Sequence, residues 1–199
     1  MFLRTPAASE ANSALYARDV AEDGYVANFS RLWAWRPAVF DAFLKLRKLL
    51  NDEASLSLRE RSVLVCAMAA NLRDSYCALA WGATLAAEAS PVAAAAVLQR
   101  QDATDLNARE RALATWAGLV VRDPNAITAA DVDGLRAAGL TDQEVFDVTV
   151  FIAFRMAFST VNDALGALPD RQLAEDAPPA VRAAVGYGRS VSAVSSTDS

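Results

Sequence analysis

Apolar residues along this chain recur mainly at spacings of three and four, the period that places side chains on one face of an α-helix. The clearest stretch runs from Phe29 to Leu50, and Pro37 within it is expected to open a second helical segment at its first turn. No segment shows the sustained two-residue alternation of a half-buried β-strand. The pattern therefore predicts an all-α fold.

A helical hairpin is predicted in the middle of the chain from its capping signals. Ser57 and Glu60 stand in the S-x-x-E arrangement of a capping box, in which each side chain bonds the backbone amide of the other residue. The helix that they open is expected to break around residues 71–74. A second helix is then expected from Asp74 to Glu88, antiparallel to the first.

Two hexamers suggest that a helical unit is repeated. Leu56–Arg61 reads LSLRER and Leu106–Arg111 reads LNARER, with the same cap spacing and the same Arg-Glu-Arg. Capping boxes are common in helical proteins, but near-identical hexamers favour an internal duplication.

Three regions are predicted along the chain. Residues 1–28 form an N-terminal arm with a short helical stretch, and residues 29–177 form one helical domain. Residues 178–199 are rich in proline, alanine, glycine and serine, so they are expected to be a flexible C-terminal extension.

Composition narrows the possible partners. A net charge of −5 and a pI near 4.8 argue against nucleic acid, which requires clustered lysine and arginine. The uncharged run from Ser75 to Ala87 is shorter than the roughly 18 apolar residues of a membrane span, and no signal segment is predicted. Two cysteines do not make the disulfide framework of a small secreted protein. We therefore expect a cytoplasmic protein with no nucleic-acid or membrane partner.

The sequence contains no histidine. This excludes Ser-His-Asp and Cys-His pairs, histidine metal sites and the usual general base at neutral pH. Chemistry must then come from cysteine, carboxylates, tyrosine, lysine, arginine or a bound group. No metal and no cofactor is predicted.

The segment from Leu56 to Ala87 is the most specific part of the sequence. Its second helix begins with SYCALAWG at Ser75–Gly82, and the downstream half contains RERAL at Arg109–Leu113 and ALG at Ala164–Gly166. In order and spacing these residues resemble the carboxymuconolactone decarboxylase and alkylhydroperoxidase D-like superfamily, especially its peroxidase-related branch. The resemblance covers roughly residues 29–173 and implies an all-α bundle with a repeated helical hairpin.

This resemblance also implies where a site should lie. Active members carry Cys-x-x-Cys at the start of the second hairpin helix, a histidine four residues later and a glutamate one helix earlier. Here Asp74 stands at the first cysteine, Trp81 at the histidine and Ser62 at the glutamate, so only Cys77 remains. The usual intramolecular dithiol cycle cannot run with this motif.

Each cysteine has a structural and a chemical interpretation. Cys77 is either a small buried hydrophobe or a nucleophilic thiolate on the first turn of a helix. Asp74 is expected to cap that helix, and its charge would disfavour a nearby thiolate. Cys66 is expected to pack in the core, and whether it can pair with Cys77 is left open by the sequence.

Two further residues are candidates for binding substrate. Tyr76 could offer its hydroxyl to a pocket, although packing explains it equally well. Arg155 interrupts the apolar run from Val148 to Phe158, so it must meet a carboxylate, a subunit boundary or an anionic ligand. A structural ion pair is the favoured interpretation.

Three functions follow from the resemblance. The first is reduction of a hydroperoxide by Cys77 alone, with recycling by an external thiol. The second is lyase or decarboxylase activity on a small organic acid anchored by Arg155 or Arg73. The third is a ligand-binding or structural protein that has lost catalysis. Family members usually form trimers or hexamers, so a homo-oligomer is also expected.

Overall fold

The computed structural model describes residues 1–53 and 56–191. Within them the chain forms α-helices and one short 3-10 turn at Pro124–Ala126, with no strand, and the all-α prediction is confirmed. The helices are α1 (Glu10–Asp23), α2 (Asn28–Trp33), α3 (Pro37–Glu53), α4 (Leu58–Leu72), α5 (Ser75–Glu88), α6 (Pro91–Leu98), α7 (Ala108–Arg122), α8 (Ala129–Ala137), α9 (Asp142–Ala164), α10 (Arg171–Asp176) and α11 (Pro179–Ala184).

The hairpin of α4 and α5 is the centre of the bundle. The predicted capping box opens α4, because Ser57 accepts from the Glu60 amide while the Glu60 carboxylate accepts from the Ser57 amide. Residues 62–70 of α4 are all buried, as expected for a helix covered on every side. The helix ends at Arg73, which adopts a left-handed conformation with φ of 62°, and α5 then runs back along α4.

The repeated hexamers meet across α4 and α7. Asn107 and Glu110 form a capping box that matches the one on α4. The two helices then exchange ion pairs: Arg59 donates to Glu110 at 2.6 Å, and Arg109 donates to Glu60 at 2.7 Å. This reciprocal contact relates the two helix starts by an approximate local two-fold, as a duplicated unit would.

An aromatic cluster fixes the N-terminal helices against α9. The Trp33 ring stacks on Phe158 of α9 with centroids 5.9 Å apart, and Phe40 of α3 packs against both. The Trp33 indole also donates to Asn162 at 2.9 Å. As a result, α3 lies along α9.

The prediction of a flexible extension is wrong for residues 178–191. Proline opens α11 at its first position, and the Val181 side chain of this helix is fully buried against Gly82 and Leu98. Further on, the Ser75 hydroxyl donates to the Arg189 carbonyl at 2.7 Å, so the chain packs over the start of α5. The remainder of the predicted extension, residues 192–199, lies outside the described residues.

The length and hydropathy of the helices can be compared with the expectation that the protein has no membrane partner. Across the described ranges, none of the helices combines the length and the apolar character that crossing a bilayer requires.

Candidate active site

Cys77 lies on the first turn of α5, where the helix cap holds it. The Asp74 carboxylate accepts a hydrogen bond from the Cys77 amide through Oδ1 at 3.0 Å, which confirms Asp74 as the N-cap. Both side chains are buried, with Cys77 5% and Asp74 1% exposed. The thiol and a carboxylate therefore share one enclosed space at the positive end of α5.

α9 supplies two polar side chains to the same space. The Ser159 hydroxyl lies 3.4 Å from the Cys77 sulfur. Arg155 precedes Ser159 by one helical turn on the same face, and its guanidinium carbon lies 4.6 Å from the Trp81 ring centroid. We refer to Asp74, Cys77, Trp81, Arg155 and Ser159 as the Cys77 cluster.

The cluster keeps its thiol protonated at neutral pH. Burial raises the pKa of Cys77 well above its ordinary value, and the charge of Asp74 raises it further. The charge of Arg155 and the hydroxyl of Ser159 lower this pKa, but by less. A reaction at the sulfur therefore needs a group that removes the proton as the sulfur attacks.

Two groups of the cluster have unused hydrogen-bonding capacity. Asp74 Oδ2 and Arg155 Nε are buried and have no hydrogen-bond partner among the described residues. Buried polar groups without a partner are uncommon in native structures, and a role in binding or reaction is one explanation for them.

The expected structural ion pair of Arg155 is not found. In the parts of the chain that the structure covers, no carboxylate lies within ion-pair distance of its guanidinium, which instead stacks on Trp81. Burial lowers the pKa of Arg155, while the charge of Asp74 raises it. The prediction of a paired carboxylate was wrong because α9 turns this side chain toward α5, where the one nearby acid is already the cap of that helix.

Sequence reasoning missed Arg47 and Ser159. Arg47 of α3 is half-buried, and its charge acts on both Cys77 and Arg155. Burial lowers the pKa of Arg47. Ser159 follows Arg155 by four residues, so the sequence alone could have predicted that the two side chains share one face of a helix. No pattern in the sequence brings α3 to this site.

Two other predicted positions are engaged elsewhere. The Ser62 hydroxyl donates to the Leu58 carbonyl at 2.7 Å within its own helix. Cys66 is fully buried, and both it and Cys77 are free thiols. Burial raises the pKa of Cys66 as well. Neither residue is arranged to relay a proton from Cys77.

The Tyr76 hydroxyl already has a partner. It donates a short hydrogen bond to the Asp170 carboxylate, which also accepts from the Asn28 amide at 3.0 Å. The ring packs edge-on against Phe29 at a centroid distance of 5.8 Å. This contact ties α5 to the chain before α10, and a role for Tyr76 in binding substrate stays a prediction.

The described residues include no group of three or more cysteine, aspartate or glutamate side chains placed to hold a metal ion. The side chains of the Cys77 cluster themselves offer a thiol, a carboxylate, a hydroxyl and a guanidinium.

Comparison of the sequence with protein-family models and with curated proteins gives no match. Solved structures do match. An uncharacterized peroxidase-related protein from Ralstonia eutropha JMP134, described as an alkylhydroperoxidase AhpD core, has a TM-score of 0.76 and 25% identity over 86% of this chain and 93% of that chain. An uncharacterized peroxidase-related protein from Silicibacter sp. TM1040 has a TM-score of 0.74 and 23% identity over the same shares.

A third similar structure is the debrominase Bmp8, in a cysteine-to-alanine variant bound to 2,3,4-tribromopyrrole. It has a TM-score of 0.68 and 14% identity over 93% of this chain and 97% of that chain. At this identity the likeness concerns the fold alone. Together the three comparisons confirm the alkylhydroperoxidase D-like helical fold.

Proposed function

We propose that this chain, whose fold is that of alkylhydroperoxidase D-like proteins, is a single-cysteine thiol enzyme of that superfamily. In this proposal Cys77 reduces a hydroperoxide, and an external thiol restores the enzyme. The observation that carries the proposal is the pair of unpartnered buried groups, Asp74 Oδ2 and Arg155 Nε, in the cluster around the only thiol at the start of α5.

The first step is attack of the Cys77 sulfur on the terminal oxygen of the hydroperoxide. A sulfur–oxygen bond forms and the oxygen–oxygen bond breaks, which leaves a sulfenic acid on Cys77 and releases an alcohol. Asp74 Oδ2 accepts the thiol proton and passes it to the departing oxygen. The positive charge of Arg155 stabilises the negative charge that develops on that oxygen.

Recycling consumes two molecules of an external thiol. The first condenses with the sulfenic acid, which releases water and forms a mixed disulfide with Cys77. The second attacks this disulfide, which releases the external disulfide and restores the Cys77 thiol. An external donor is required in this proposal because Asp74 stands where the family motif has its first cysteine, and Cys66 and Cys77 are both free thiols.

Asp74 is suited to act as the base because of its position. It occupies the N-cap of α5, where the helix dipole favours a carboxylate. One oxygen is used by the Cys77 amide, so the other remains open for the proton. The Asp74 carboxylate therefore disfavours loss of the thiol proton at rest and accepts this proton during the reaction.

A catalytically inactive ligand-binding or structural protein is the second candidate function. It is favoured by the burial of Cys77 and by the raised pKa of its thiol, both of which slow thiol chemistry.

A third candidate is a lyase that anchors an organic acid. Arg155 is free of ion pairs among the described residues and suits that role better than Arg73, which is exposed at the end of α4.

We also propose that the protein acts as a cytoplasmic homo-oligomer, a trimer or hexamer as in the family. Phe146 and Phe154 of α9 are large apolar side chains with 67% and 39% of their surface exposed. They would be covered in such an assembly.

Asp74→Asn separates the two roles given to this carboxylate. Asparagine keeps the helix cap but removes the charge, so the Cys77 pKa falls and alkylation by iodoacetamide at fixed pH becomes faster. Hydroperoxide reduction instead slows at least about tenfold, because the base is lost. Both rates are measured on the full chain with excess dithiothreitol in the peroxide assay.

The matched control is Asp147→Asn, which removes one carboxylate charge from a half-buried position on α9 outside the Cys77 cluster. This variant should leave both rates unchanged. If the unmodified protein consumes no hydroperoxide, the proposed reaction is wrong; if both Asp74→Asn rates rise together, Asp74 is not the base.

A further inference from the structure

A cavity of about 360 Å³ is bounded by α4, α7 and the connection between α6 and α7. Its apolar floor includes Ala67, Val97 and Leu106, and no residue of the Cys77 cluster lines it. The volume is in the range of pockets that hold small molecules.

Positive charge is concentrated around this cavity. Arg100, Arg111 and Arg122 line it together with a single acid, Asp102, which gives a local charge of 3 − 1 = +2 in a chain of net charge −5. None of the three arginines forms an ion pair within residues 1–53 and 56–191. By contrast, Arg109 on the same helix as Arg111 pairs with two glutamates.

The backbone at Arg100 is unusual for an arginine. After α6 ends, Arg100 adopts a left-handed conformation with φ of 58°, and the Gln101 amide then closes the turn by donating to the Ala96 carbonyl at 2.9 Å. Glycine is the residue that occupies such a position without strain. An arginine here retains a cationic side chain at the cavity despite the strain.

Arg122 is oriented by its neighbours. Its Nη1 donates to the Asn71 side-chain oxygen at 3.1 Å, across the surface of Gly118. A Cβ atom at Gly118 would lie 2.8 Å from that nitrogen, so the close packing of this guanidinium depends on the glycine. Arg111 is fixed in a similar way, since its Nη1 donates to the Leu106 carbonyl.

From this arrangement we propose that the cavity binds a small dianion, with its negative groups held by the guanidinium groups of Arg100 and Arg122. Guanidinium groups match the planar, paired oxygens of phosphate and carboxylate. The apolar floor would accept the carbon skeleton of a small organic acid or phosphate ester. The site is separate from Cys77 and does not depend on its chemistry.

Isothermal titration of the full chain with inorganic pyrophosphate and with succinate tests the proposal. At least one probe should bind with one site per chain, and the probe that binds more tightly identifies phosphate or carboxylate as the preferred group. Arg100→Gly should weaken this binding at least about tenfold. Glycine suits the left-handed backbone, so this variant is expected to fold and to melt no lower than the unmodified protein.

Arg73→Gly is the matched control. Arg73 is the only other non-glycine residue with positive φ in the described chain, and it does not line the cavity. The same relief of strain should therefore leave probe binding unchanged. Failure of both probes to bind, or equal weakening by Arg100→Gly and Arg73→Gly, would overturn the proposal.

Discussion

Replacing Cys77 with serine is expected to reduce hydroperoxide consumption at least about 100-fold. Serine is nearly isosteric, so the packing of α5 against α9 should change little. Its hydroxyl, however, is a far weaker nucleophile than the sulfur, and Asp74 cannot deprotonate it effectively. The measurement is the loss of tert-butyl hydroperoxide in the presence of excess dithiothreitol, with the thermal melting temperature recorded for each protein.

Cys66→Ser is the control for this substitution. Cys66 is fully buried in α4 and has no part in the proposed reaction, so activity per folded molecule should be retained. A Cys77→Ser protein that keeps more than half of the activity would show that any peroxide consumption has another origin. Equal losses in both variants, together with lowered melting temperatures, would indicate a general effect on folding.

The second large effect concerns the C-terminal segment. Val181→Asp is expected to lower the free energy of unfolding by about 4 kcal/mol or more, because it buries an unpaired carboxylate in an apolar contact. Val181 has no exposed surface and packs against Gly82 of α5 and Leu98 of α6. The loss is measured by urea unfolding followed by circular dichroism.

Ala183→Asp is the matched control, since Ala183 lies on the same helix and is exposed. It introduces the same charge and should change the free energy of unfolding by less than about 0.5 kcal/mol. If α11 were a loosely attached tail, the two variants would behave alike. Equal unfolding midpoints would therefore contradict the packing described here.

The helical architecture was predictable because its signals are local. The Ser57–Glu60 capping box and the Asp74 cap each depend on only a few neighbouring residues, so both can be recognised from the sequence alone. α11 was missed because Pro178 and the alanines around it have the composition of a linker. Only the contact of Val181 with α5 and α6 distinguishes this helix from a flexible segment.

The site was predictable only in part. The position of Cys77 at the start of a hairpin helix followed from the motif, and the structure confirms Asp74 as its cap. Ser159 lies 82 positions away in the sequence, and its contact with the sulfur depends on how α9 crosses α5. The sequence identified Arg155 as a buried cation. That its guanidinium stacks on Trp81, and does not pair with a carboxylate, depends on the tertiary packing of α9.

The resemblance places Asp74 and Trp81 where the family motif has its first cysteine and its histidine. In the structure Asp74 caps the helix, raises the pKa of the Cys77 thiol and keeps one oxygen without a hydrogen-bond partner among the described residues. The Trp81 ring lies against the Arg155 guanidinium. Under the proposed function, a single thiol between a base and a cation takes the place of the dithiol.

The central claim is that the Cys77 sulfur reacts with hydroperoxide, and trapping of the sulfenic acid tests it most directly. The full chain is treated with tert-butyl hydroperoxide and dimedone without a reducing thiol, and the labelled peptides are identified by mass spectrometry. The account predicts one dimedone adduct per chain on the peptide that contains Cys77, with Cys66 unmodified. An unlabelled Cys77 at complete exposure to peroxide, or a label on Cys66 instead, would contradict it.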